Sequence, residues 1–375
     1  MNIIILAENF NTGGINRNNL DLAQGLQRYS DVNVSLVALS DRTNHWLLQE
    51  AAARKIPVEV LPMRSVFDLQ VIPHLRRLLV GQQTDILHSN AYRGNIIARL
   101  AVRGGRMPTK LVCTVHGVYH FPSAPLRSRL YYALDYLTMR MTDRAIVISE
   151  TTLKQISRLG LGNKARVVIN GTAIPPLANS EDQCASRQAL GISLDAKVVL
   201  FVGRLSPEKG IQTLAEVARK ILASREDVVF LIVGDGEAAS ELMSAAKDFG
   251  SRLVLAGGQR DVSPFYAAAD LLFMPSRSEG LPLTLIEAFA RGITAVASNV
   301  GGIPEIVRDG VYGFLCNPTN VTQMYERILQ LLEDDTLRRS FSIQARNMVE
   351  ANFSLERMIS ETYQVYRSLV QPGSA

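Results

Sequence analysis

Short apolar runs rich in β-branched residues alternate along the chain with stretches of helical periodicity. In the first half the runs are IIIL (3–6), VSLVAL (34–39), DILH (85–88), LVCTV (111–115), AIVI (145–148) and VVI (167–169). In the second they are VVLFV (198–202), VFLIV (229–233), LVLA (253–256), LLFMP (271–275), TAVA (294–297) and FLC (314–316). Strands that are apolar without alternation are buried on both faces, and the helices between them supply the cover, so the pattern predicts parallel sheets. Two such series exceed one sheet. The segment TAIPPLANSEDQCASRQ (172–188), rich in Pro, Ser and Ala, reads as a connection followed by a helix start. It divides the chain into one doubly wound, Rossmann-like α/β domain at 1–172 and a second at 173–354. A last helix, about 355–370, can pack back on the first domain, and QPGSA after it reads as a frayed end. Ligands in such folds bind outside the carboxyl ends of the strands, so the strand-end loops are where chemistry is sought.

Composition adds little to this frame and charge adds more. The 375 residues are 47% hydrophobic and 20% charged, ordinary globular material. The opening Met-Asn-Ile-Ile-Ile-Leu reads as a strand and not as a signal peptide, because no basic segment precedes it. No apolar run approaches the roughly 18 residues of a membrane span. Cys113, Cys184 and Cys316 form neither a disulfide framework nor a zinc pattern, which favours a reducing cytoplasm. Residues 1–172 carry 21 Lys and Arg against 11 Asp and Glu, whereas the rest carries 19 against 24. The excess lies in Arg76, Arg77, Arg99, Arg103, Arg106 and Lys110, and in APLRSRLYYALDYLTMRMTDR (124–144). Cations interleaved with Leu, Tyr and Met suit an anionic membrane surface or an anionic acceptor, and equally a solvated basic face. No nucleic-acid motif accompanies them, so nucleic acid is not an expected partner.

Five strand ends carry candidate chemistry. After the first strand, Gly13 and Gly14 allow backbone amides to approach a phosphate at a helix N-terminus, or serve as a plain turn. The loop is neither a dinucleotide fingerprint nor a P-loop. His116 follows the strand at 111–115, placed to bond a sugar hydroxyl or shuttle a proton, or to be a satisfied rim histidine. His120, four residues on in a loop-like stretch, does not make a metal pair with it. After 198–202 come Arg204 and Lys209, with Ser206 as helix cap and Pro207 as first helical residue, which puts Lys209 in the first helical turn. A cation there opposes the helix dipole unless an anion is near, so the pair reads as a phosphate clamp. Arg260, in the loop 257–262, is placed to hold a nucleotide base or its phosphates.

The stretch SRSEGLPLTLIEAFARG (276–292) carries the remaining candidates. Residues 283–290 are apolar nearly all round, as in a buried helix, with Pro282 in its first turn and Gly292 as its stop. Gly280 and Leu281 lie at the N-terminus of that helix, where amides favour an anion such as a diphosphate. Glu279 precedes them, and Glu287 sits within the helix. A buried carboxylate needs hydrogen-bond donors, and a ribose diol supplies two; a salt bridge elsewhere is the alternative.

GRLSPEKG (203–210), the E-x7-E pair of Glu279 and Glu287, and SNVGGIPEIVRDGVYGFL (298–315) together resemble retaining glycosyltransferases of the GT-B fold, glycosyltransferase family 4. The resemblance spans nearly the whole chain and is strongest between Val198 and Pro318. It implies two Rossmann-like domains facing a central cleft, with the acceptor bound mainly by the first and a nucleotide-sugar donor mainly by the second. It implies that Glu287 holds the ribose, that Glu279 contacts the donor sugar, and that the Gly280 and Leu281 amides lie near sugar and diphosphate. Arg204 and Lys209 would neutralise the leaving diphosphate, Gly14 would approach it from the other domain, and His116 would lie near the reacting sugar.

The implied chemistry is hexosyl transfer with retention by front-face substitution, in which donor phosphate takes the acceptor proton and no metal or other cofactor takes part. The chain has no Asp-x-Asp triplet, and preorganised cations suit a dianionic leaving group. UDP is the favoured nucleotide, the acceptor a glycan or glycolipid of bacterial surface polysaccharide or lipopolysaccharide assembly, and the place the cytoplasm, either free or peripheral on the cytoplasmic face of the inner membrane. One departure is that no carboxylate lies between Thr12 and Asn19 to act as acceptor base. A nucleotide-sugar epimerase of the same fold, or a nucleotide-sugar-binding assembly protein without catalysis, remains as an alternative.

Overall fold

The structure is a computed structural model that describes residues 1–8, 14–40, 46–63, 68–90, 92–116 and 126–370. It divides into two compact units, Met1–Gly171 together with the chain from Leu355, and Thr172–Ser354. In the first unit the strands are β1 (Asn2–Glu8), β2 (Asn33–Ser40), β3 (Val58–Pro62), β4 (Ile86–Asn90), β5 (Lys110–Val115), β6 (Arg144–Val147) and β7 (Ala165–Val167). In the second they are β8 (Lys197–Val202), β9 (Val228–Val233), β10 (Leu253–Leu255), β11 (Leu271–Met274), β12 (Thr294–Ser298) and β13 (Gly313–Cys316).

Each sheet is parallel and doubly wound. The orders are β3-β2-β1-β4-β5-β6-β7 and β10-β9-β8-β11-β12-β13. Winding therefore reverses between β1 and β4 in one unit and between β8 and β11 in the other, and each reversal opens a crevice at the strands' carboxyl ends. The continuous apolar runs are buried on both faces: β9 is buried at every residue from Val228 to Val233, and alternate residues of β8 and β11 feed a core with the helix Ile211–Ser224.

The strand β3 was not expected. Its sequence VEVLP carries Glu59 and closes on Pro62, and it lies at the sheet edge with one neighbour, half exposed. An edge strand tolerates both features, and it lacks the two-sided burial that marks the others. The strand expected at 167–169 is Ala165–Val167, and that expected at 85–88 runs on to Asn90.

The chain enters the second unit at Thr172 and leaves it at Ser354, where the two residues form a parallel bridge and Thr172 N–H donates to Phe353 O at 2.9 Å. The helix Ser180–Ala189 that follows the entry starts with a reciprocal cap, in which Asn179 accepts from Asp182 N–H and Asp182 from Asn179 N–H. The closing helix Leu355–Val370 belongs to the first unit. Its Met358, Ile359, Tyr363 and Tyr366 share a core with Leu22, Leu26, Ile5 and Val112. Gly25 marks the closest approach: a Cβ there would lie 2.0 Å from Ile359 Cδ1.

Part of the basic excess of the first unit serves its own packing. Arg99 is fully buried and pairs with Asp135, whose carboxyl is raised by burial against the opposing pull of Arg99. Arg103 pairs with Asp143 at 2.6 Å, and Arg76 donates to the carbonyls of Leu100 and Ala101, closing the end of the helix Tyr92–Gly104. Arg77, Arg106, Lys110 and Arg140 remain exposed. The expectation that Arg99 belongs to a membrane-facing surface is therefore corrected: the residue has no face to present. No described helix is long and apolar enough to cross a membrane.

Candidate active site

The second unit gathers its strand-end loops through close backbone contacts. Gly203 N–H donates to Val233 O at 3.0 Å, Leu205 N–H to Asp235 O at 2.8 Å, and Gly234 N–H to Gly257 O at 2.9 Å. Gly234 has φ +143°, and a Cβ on it would lie 1.8 Å from Gly203 O, so only glycine fits where the β8 and β9 loops cross.

Lys209 lies in this knot, one step away from its expected place. Pro207–Lys209 is a separate 3-10 turn, and the α-helix begins at Ile211. The break is at Gly210, which takes φ +70° and where a Cβ would lie 2.0 Å from Pro275 O. The turn is thereby pressed against the loop after β11. Ser206 stands at the N-cap position but caps no backbone N–H with its side chain. Arg277 N–H and Ser278 N–H both donate to Glu208 O, at 2.8 and 3.3 Å.

The result is that Lys209 Nζ lies 2.7 and 2.9 Å from the two oxygens of Glu279. Ser276 Oγ also donates to Glu279 Oε1, at 2.6 Å. The carboxylate side chain is 7% exposed and the lysine 25%. The anion that a cation beside this turn requires is thus Glu279. The pair bridges the β8 and β11 loops, the point where strand order reverses.

Arg204 does not join that pair. It is 67% exposed and binds the Glu208 carboxylate. Burial raises the Glu208 carboxyl, but its own backbone, Ser206 and Arg204 outweigh this and hold it below the usual carboxylate range. Arg260 is exposed on the loop after β10.

The loop after β12 closes the far side. Gly301, at φ +55°, would place a Cβ 1.9 Å from Glu279 O, and Gly302 N–H donates to Gly280 O at 2.8 Å. The 298–315 motif is therefore the backing on which Glu279 and Gly280 rest. Leu281 is buried, and Pro282 is the N-cap of the helix Leu283–Ala290, not its first residue. Its extended ψ of 111° keeps it outside the helix, and its carbonyl receives the N–H groups of Leu285 and Ile286. Glu287 is half-buried, and its Oε2 accepts from Tyr266 Oη at 3.0 Å. Tyr266 and Ser276 were not among the expected site residues; a buried tyrosine's need for a partner was the signal in the sequence.

In the first unit Gly14 opens the helix Gly14–Leu26, whereas Gly13 and His120 lie outside the described residues. His116 follows β5, and its Nε2 lies 3.2 Å from Asn90 Oδ1 at the end of β4. Asn90 Nδ2 in turn donates to Asn19 Oδ1 at 2.7 Å. Burial pushes the His116 imidazole down to about 4, so it is neutral at pH 7. With Nε2–H donated to the amide oxygen, Nδ1 is the acceptor. Two residues deeper on each strand, His88 lies between Tyr366 Oη at Nδ1 and Thr114 Oγ1 at Nε2, 2.7 Å away. Burial first, and then the charge of His116, lower it to about 3. Among the described residues no group of three His, Cys, Asp or Glu is placed to hold a metal ion.

Two parallel-sheet α/β units with these strand orders make up the GT-B class of glycosyltransferase. The fold matches that of HepE from Anabaena, solved with UDP and glucose, at a TM-score of 0.84 and 22% identity over 98% of this chain and 100% of that one. Sucrose-phosphate synthase from Thermosynechococcus elongatus matches at 0.83 and 19% identity, over 99% and 100%. Residues 12–174 match the family model Glycosyltransferase Family 4, and residues 182–348 match Glycosyl transferases group 1. The chain belongs to this family and is a glycosyltransferase. It is 28% identical to UDP-Gal:alpha-D-GlcNAc-diphosphoundecaprenol alpha-1,3-galactosyltransferase of Escherichia coli, over 84% of this chain and 83% of that protein. It is 25% identical to N-acetyl-alpha-D-glucosaminyl L-malate synthase of Bacillus anthracis, over 81% and 80%.

Proposed function

We propose that the protein moves a hexose-type sugar from a UDP-sugar to a glycan or glycolipid acceptor, with retention and without a bound metal, in the assembly of a bacterial surface polysaccharide or lipopolysaccharide. The observation that carries this reading is the Lys209–Glu279 pair at the reversal point of the second sheet. A strongly buried carboxylate and a cation on adjacent loops match the two poles of a nucleotide sugar, hydroxyl-rich at one end and anionic at the other. UDP is supported by the E. coli relative, whose name gives UDP-Gal as donor.

In this reading Lys209 turns from Glu279 to the β-phosphate, and Arg204 leaves Glu208 to join it. Both stabilise the dianionic nucleoside diphosphate as the anomeric bond breaks. Glu279, released, accepts from the sugar hydroxyls, while the Gly280 and Leu281 amides and the cap at Pro282 face sugar and diphosphate. Glu287 holds the ribose, and Arg260 lies toward the base and phosphates. Neutral His116 accepts a hydrogen bond from a sugar hydroxyl at Nδ1 and orients the reacting sugar. Donor phosphate takes the acceptor proton.

The first unit takes the acceptor, and exposed Arg77, Arg106, Lys110 and Arg140 attract an anionic cytoplasmic membrane face that presents it. The test is a panel of UDP-, GDP- and ADP-sugars screened by thermal stabilisation, followed by an assay of Lys209→Ala and Glu279→Ala with the best donor. Loss of transfer in both with the fold intact is expected; full activity in both overturns the assignment.

A further inference from the structure

Tyr266 is 1% exposed and sits on the helix Ser263–Ala268, after the β10 loop. Its hydroxyl reaches the neighbouring helix at two points, Glu287 Oε2 at 3.0 Å and Thr284 O at 3.2 Å. Its single proton is held between a carboxylate and a carbonyl less than one turn apart. Arg291, four residues after Glu287, lies 4.8 Å from the centre of the Tyr266 ring and donates from Nη1 to Glu287 O at 3.1 Å. The residue that holds the carboxylate and the residue that holds its backbone are thus stacked on each other.

A glutamate on a helix has three side-chain torsions to fix when it grips a ligand, and this loss of freedom weakens binding unless the rotamer is set beforehand. A carboxylate has about four lone-pair sites, enough for one phenol and two ribose hydroxyls. We propose that Tyr266 is a positioning residue for nucleotide recognition: its hydroxyl holds Glu287 Oε2 and so presets the carboxylate for the cis-diol of the donor's ribose. The inference rests on the reading of Glu287 as the ribose ligand.

The test is calorimetric titration of UDP, GDP and ADP and their 2′-deoxy counterparts into wild type, Tyr266→Phe and Glu287→Ala, with melting curves for each. The base that binds wild type most tightly is then followed. The expected deoxy-to-ribo ratio of dissociation constants is about tenfold or more in wild type, the effect of losing a hydrogen bond to a charged group. It collapses toward one in Glu287→Ala and falls severalfold in Tyr266→Phe, because the ribonucleotide, with two hydroxyls on the carboxylate, weakens more than the deoxynucleotide, with one. A burial role alone for Tyr266 would weaken both nucleotides equally and leave the ratio unmoved. A wild-type ratio in Tyr266→Phe beside a collapsed ratio in Glu287→Ala overturns the proposal and spares the ribose reading. A ratio near one in wild type, or one that Glu287→Ala does not move, overturns both.

Discussion

Lys209 Nζ bonds both carboxylate oxygens of Glu279, at 2.7 and 2.9 Å. The cation proposed for the diphosphate and the carboxylate proposed for the sugar are thus each other's partner, and on the proposed reading a donor separates them. Breaking the pair has a cost that the donor's own charge and hydroxyls offset. Glu279→Gln should then separate binding from turnover. Nucleoside diphosphate binds severalfold more tightly because Lys209 is released, while transfer falls by about 100-fold or more. Lys209→Ala weakens both. Calorimetry with UDP and a transfer assay on the same preparations check this, and weaker UDP binding in Glu279→Gln would contradict it.

Gly210 fixes where that lysine stands. Its φ of +70° disfavours other residues, and the space for a side chain is filled by the Pro275 carbonyl. Gly210→Ala should cost about 1–3 kcal/mol of stability through backbone strain and displacement of the loop. It should also lower transfer more than Lys209→Arg does, since it moves the loop and not only the head group. Chemical denaturation and initial rates measure the two effects.

The paired-strand skeleton was legible in the sequence because buried parallel strands announce themselves as unbroken apolar runs. Only the edge strand β3, half solvated and carrying Glu59, escaped that signal. The candidate residues of the second unit were legible as types at strand ends. What the sequence did not disclose was their pairing. The sequence places Lys209 as a cation in a helix's first turn, yet its partner lies 70 residues on, brought near where the backbone of Gly210 packs against Pro275. Likewise the basic excess of the first unit gave no sign that Arg99 is buried against Asp135; charge counts do not record which side chains turn inward.

Tyr366 links the closing helix to His88 on β4. Tyr366→Phe leaves a buried imidazole nitrogen without that partner and should cost about 1–3 kcal/mol. His88→Gln made in the Tyr366→Phe background should cost less than it does in the wild type, since both changes remove one interaction. Urea denaturation of the four proteins gives the coupling.

His88 and His116 are lowered by burial to about 3 and about 4, so the unfolded chain takes up their protons first. Their contribution to stability is complete above the unfolded value near pH 6.5 and is lost as pH falls below it. For His88 the loss is at most about 1.4 kcal/mol per pH unit. Denaturation at pH 7.5, 6.0 and 5.0 should show stability falling with acidity, with a shallower slope in His88→Gln. An unchanged slope would place the acid sensitivity elsewhere.

The most direct measurement of the central claim follows the anomeric proton by NMR, with the UDP-sugar that most stabilises the protein, in the presence and absence of acceptor. The account predicts that an α-configured donor yields an α-linked product and that the donor's sugar is unchanged when acceptor is left out. A β-linked product, or isomerisation of the donor sugar without acceptor, would contradict it.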